Sequence, residues 1–178
     1  MAELTFLSNK TWKEYSKYFF LIVLAITTWI LQTSIFNRFQ YFNAAPDFML
    51  LGVIYMGLML GPTCGVLFGI ISSFFTASVL YDHVFYFSYP LIGLFAGLLT
   101  KNLFSDELLL FIILSFILTF PLEFLNGWQY SIKNSLNIQE RLLMVSFYGA
   151  ITNLIVAPFY YLTMNFFAKR SKLISKTS

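Results

Sequence analysis

Charge is what this sequence has least of. Only 11% of its 178 residues are Asp, Glu, Lys or Arg, against about a quarter in a soluble domain, so a water-solvated globule is excluded and an integral membrane protein is expected. The formal net charge of +3 is too small for a nucleic-acid footprint. Cys64 is the only cysteine and His83 the only histidine, which rules out an intrachain disulfide and a structural metal site built from them. HExxH, GxSxG and a Walker loop are absent, as is any cluster of intramembrane His, Asp or Glu, so catalysis and a bound cofactor have no residues to rest on. A channel would need polar rings or a filter loop, and neither is visible. No polar block reaches the length of about 50 residues that a separate domain needs.

What is present is apolar: 58% hydrophobic residues and 20% aromatic, gathered into six stretches at 18–36, 47–60, 62–80, 84–99, 108–125 and 142–167. The first is too long for a signal peptide and lacks a small-residue cleavage site, so it is read as a retained span. The expected fold is an all-α six-transmembrane-helix bundle over 18–167. It is preceded by a cytoplasmic segment 1–17, in which Thr11 and Glu14 have capping-box spacing, and followed by a basic tail 168–178 that can touch anionic lipid. Six spans put both termini on one side, together with Lys10, Lys13, Lys17, Lys101, Lys169, Arg170, Lys172 and Lys176; Arg38, Lys133 and Arg141 fall opposite. That excess places the termini in the cytoplasm. The second span covers only roughly 21 Å as a helix, short for a typical bilayer. Gly61 and Pro62 predict a tight turn into the third span.

In the third span Gly65, Gly69, Ser73 and Ala77 recur every fourth residue and so share one helix face, a shallow groove that another helix can approach closely. Gly93 and Gly97 repeat the spacing in the fourth span. Such faces either receive the helix of a partner or pack the third and fourth spans on each other. A glycine off the face, Gly52, is expected to tolerate a larger side chain better than Gly69.

Polar residues within the spans are few. Glu123 is the only acid inside a span rather than at its edge, and reads as an interfacial or structural carboxylate, with proton or ligand binding as the other reading. Gln32 and Asn153 are candidates for hydrogen bonds between helices or for ligand contacts. Asp82 and His83 read as a solvated turn. Asn126 to Arg141 reads as the longest polar connection, and Asn137 with Glu140 as a helix cap.

Taken in order, Leu31-Gln32-Thr33, Pro46-Asp47, Tyr55, Gly61-Pro62, Gly65 with Gly69, and Gly93 with Gly97 resemble MreD, the rod shape-determining membrane protein family of bacteria. The resemblance covers about residues 31–101. It implies a non-enzymatic, multi-pass scaffold of the cytoplasmic (inner) membrane. That scaffold would serve the cell-elongation machinery, with an MreC-like single-span protein as direct partner and peptidoglycan synthases as wider neighbours. MreD-like proteins often carry an aspartate late in the third span; here that region reads Ser73-Phe74-Phe75-Thr76-Ala77, with no acid before Asp82, and no role is carried over for it. The architecture is also similar to the S-components of energy-coupling-factor vitamin transporters, which form the alternative reading. Their Ala-xxx-Ala face in the first span is missing, since only Ala25 is present there.

Overall fold

The computed structural model describes residue 19 and residues 22–34, 45–80, 84–99, 107–133 and 139–170. The 1–17 segment, the Asp82–His83 link, the Asn137 cap and the tail beyond 170 lie outside the described residues. Those described form six helices and no strand: α1 (Ile22–Ser34), α2 (Phe48–Leu60), α3 (Pro62–Leu80), α4 (Val84–Leu99), α5 (Glu107–Lys133) and α6 (Gln139–Arg170).

Local chemistry sets the α2–α3 boundaries. The carboxylate of Asp47 accepts from the Leu50 N–H at 2.9 Å, satisfying one of the donors that a helix start leaves unpaired. At the other end, Gly61 sits at φ +90°, in the left-handed region open to glycine, and its N–H returns to Gly57 O at 3.0 Å. Pro62 opens α3, where its missing N–H costs nothing. With one residue between them, α2 and α3 form the expected hairpin.

The ends of α5 and α6 depart from expectation. The apolar pattern stops at Leu125, yet α5 runs on to Lys133, and α6 begins at Gln139 rather than 142. Packing carries the helices past the drop in hydropathy: Asn126, Gly127 and Gln129 are half-buried, and the Gly127 backbone lies directly against the Leu142 side chain of α6.

α3 packs on α4 and α5 on α6, and α2 lies between the two pairs, touching all four. Residues Met49 to Leu58 are buried without exception, as befits a helix that is apolar all round. Its shortness follows, because its surroundings are other helices. Tyr55 meets Phe111 edge-on at 6.2 Å, and Phe111 stacks on Tyr160 at 6.4 Å, so aromatic rings tie α2 to α5 and α6. α1 stands beside α3, with Trp29 and Phe75 ring centroids 5.3 Å apart.

Two stretches, Glu107–Gln129 and Leu142–Ala168, are long and apolar enough to cross a membrane. The outer surface carries large apolar side chains such as Phe74, Phe87, Leu91, Ile117, Ile155 and Phe159, with Phe87 77% exposed. A surface of this kind is solvated by an apolar medium far better than by water.

Candidate functional site

Two features in the fold concentrate specific contacts, and a third is a cavity. The first is the turn Pro46-Asp47-Phe48, on which polar groups from three other helices converge, with a fourth helix joined through Asn153. From α1, Gln32 brackets the turn: its Nε2 donates to Pro46 O at 2.8 Å, and its Oε1 accepts from the Phe48 N–H at 2.9 Å. From α6, Asn153 Oδ1 accepts from the Asp47 N–H at 2.7 Å, while its Nδ2 donates to Thr119 Oγ1 of α5 at 2.9 Å. The Thr119 hydroxyl in turn donates to Ser115 O. From α4, the Tyr89 hydroxyl donates to Asp47 Oδ2 at 2.6 Å. Asn153, Thr119 and Tyr89 are all buried.

Buried polar groups are costly unless paired, and here each is used to hold another helix. Gln32 and Asn153 therefore act as hydrogen bonds between helices. Glu123, on α5, is half-buried rather than solvated: a Cβ at Gly149 of α6 would meet its Cγ at 3.2 Å. Among the described residues it has no ion pair, and no three His, Cys, Asp or Glu side chains are grouped to hold a metal ion.

The second feature is the glycine seam. A Cβ on Gly93 would collide with the carbonyl of Gly65, and one on Gly65 with the carbonyl of Gly93. A Cβ on Gly57 of α2 would come within 2.6 Å of Gly93 O, one on Gly69 within 2.7 Å of Tyr89 O, and one on Gly97 would collide with Pro62. Ser73 donates to Gly69 O at 2.6 Å and is buried, as is Ala77. The expected groove on α3 is thus filled by α4 and α2 of the same chain. A partner helix has no access to Gly65, Gly69, Gly93 or Gly97, because their backbones are already in contact. Gly52 is also closely packed, but against side chains rather than backbone: a Cβ there would meet Phe68 Cε1 at 2.8 Å and the Tyr160 hydroxyl at 2.9 Å.

The third feature is a cavity of about 960 Å³ between α1 and α6, floored by the start of α2. Its walls include Leu24, Leu31, Val156, Phe159, Met164 and Phe167, and among the described residues that line it none is charged.

Sequence reasoning found the glycine spacing, Gln32 and Asn153, but missed Tyr89, Thr119 and the role of Asp47 as the hub. Asp47 before an apolar run was a readable capping signal; the distant partners had none.

No protein-family model matches the chain, and no similar curated protein or solved structure was found.

Proposed function

We propose that this chain is a six-span, non-catalytic subunit of the bacterial cytoplasmic membrane with both termini in the cytoplasm. It would act as an MreD-like scaffold that holds the single transmembrane helix of an MreC-like partner beside the peptidoglycan synthases of cell elongation. One observation carries the reading. Most of the motifs on which the MreD resemblance rests contain a residue that joins helices: Gln32 at Pro46, Asp47 at Tyr89, Gly61-Pro62 at the hairpin, and Gly65 at Gly93. Motifs spent on rigidity suit a platform, which must present a fixed outer face. Because the glycine seam is filled, the partner helix meets a lipid-facing surface instead.

The cavity favours the second reading, an S-component of a vitamin transporter, since small-molecule sites span about 300–1,000 Å³. Against it, such sites carry a few convergent polar groups to orient the ligand, and the walls here are almost wholly apolar.

Purification of the tagged chain from its own membranes in mild detergent, with mass spectrometry of what remains bound, separates the two. A single-span, coiled-coil extracytoplasmic protein or a wall synthase supports the scaffold. ATPase subunits or a retained vitamin overturn it.

A further inference from the structure

The cavity between α1 and α6 has chemistry of its own. Three of its four threonines are already committed to their own helices: Thr27 donates to Val23 O and Leu24 O at 2.9 Å, Thr152 to Tyr148 O at 2.7 Å, and Thr163 to Tyr160 O at 2.8 Å. With these hydroxyls turned inward and no charge on the walls, the space offers almost nothing to a polar ligand or to water, which needs two to four polar partners. It suits hydrocarbon.

Its length suits hydrocarbon of a particular kind. From Thr152 to Phe167 the α6 wall runs roughly 22 Å, somewhat more than the depth of one leaflet's hydrocarbon, about 15 Å. The charge pattern gives the cavity a polarity. Both walls come from acid-free sequence: no Asp or Glu occurs between Glu14 and Asp47, or anywhere after Glu140. α6, one of those walls, ends three residues beyond Phe167, in Lys169-Arg170. An apolar slot, one wall of which ends in two basic positions of the sequence, is complementary to an acyl chain that carries an anionic headgroup.

We infer that the α1–α6 cavity binds an acyl chain of one anionic phospholipid of the cytoplasmic leaflet, its headgroup lying at the Lys169-Arg170 end of α6. The inference rests on the membrane-spanning part of the reading above and is independent of the elongation partner.

The test is native mass spectrometry of the full chain in detergent with added phosphatidylglycerol or phosphatidylcholine of identical chains. The purified chain retains one phosphatidylglycerol under activation that strips phosphatidylcholine. Val156→Phe, which fills the slot, weakens that retention about tenfold, whereas Lys169→Gln with Arg170→Gln abolishes the headgroup preference and leaves the cavity open. Thermal unfolding confirms that each variant is folded, and phosphatidylglycerol raises the midpoint of the unsubstituted chain but not of Val156→Phe. Equal retention of both lipids, retention unaffected by Val156→Phe, or a Thr163→Cys crosslink to a protein in place of lipid overturns the inference. Recovery of the chain in the soluble fraction, without detergent, would instead overturn the membrane reading itself.

Discussion

The Tyr89 hydroxyl donates to Asp47 Oδ2 at 2.6 Å, joining α4 to the first turn of α2. The same carboxylate caps α2 through Leu50 N–H, so one side chain both starts a helix and fastens it to another. Cys64, alone and 3% exposed, supplies the means of measuring what such contacts contribute: a thiol-reactive dye labels it as the detergent-solubilised protein unfolds on heating.

Asp47→Ala removes the cap and the acceptor for Tyr89 together, and is expected to destabilise by about 2–4 kcal/mol. Tyr89→Phe costs less, about 1–2 kcal/mol, because the cap survives. In the double variant the two effects are less than additive. Strict additivity of the dye-labelling midpoints would mean that the contact does not couple the helices.

Gly93→Ala places a methyl group into the Gly65 carbonyl, and only separation of α3 from α4 relieves it; the expected loss is about 3 kcal/mol. Gly127→Ala is the contrast. Its methyl meets the flexible end of Leu142, and the gain in helix propensity, about 1 kcal/mol, offsets the adjustment. Labelling midpoints that fall equally would discard the account of the seam.

Asn153→Ala leaves the Asp47 N–H without its acceptor and Thr119 without its donor, for an expected cost of about 2 kcal/mol. Asn126 also buries a side-chain oxygen, but among the described residues that oxygen has no partner, so Asn126→Ala is expected to cost under about 1 kcal/mol. A larger loss at Asn126 than at Asn153, by the same dye measurement, would contradict the bracket around Asp47.

Glu123→Gln exchanges a half-buried carboxylate for an uncharged amide of the same shape, so stability is expected to hold or rise, by about 1 kcal/mol at most. A marked fall in the labelling midpoint would show that the ionised carboxylate is needed by a group outside the described residues.

Much of the fold was legible because its signals are local. Gly61-Pro62 marks the hairpin, and the apolar runs that bound α3 and α4 end where the helices end. α5 was misread for a physical reason: hydropathy reports what lipid would solvate, whereas residues 126–133 stay helical by lying near α6. The candidate site was half legible. Spacing revealed that Gly65 and Gly93 lie on close-approach faces, but a face does not name its occupant. Tyr89 and Asp47 are 42 positions apart, and nothing about an isolated tyrosine in an apolar run announces the carboxylate it serves.

The enclosure of α2 also bears on the order of synthesis. Ribosomes deliver α2 before any of the four helices that surround it, and with Met49 to Leu58 wholly buried in the finished protein, it has no surface of its own meant for lipid. The nascent chain therefore holds an unfinished centre until α6, the last of those four helices, has arrived. A ribosome stalled after α4 would expose the Tyr55 flank that Phe111 and Tyr161 later cover, leaving a fragment that membrane chaperones and proteases can distinguish from the complete protein.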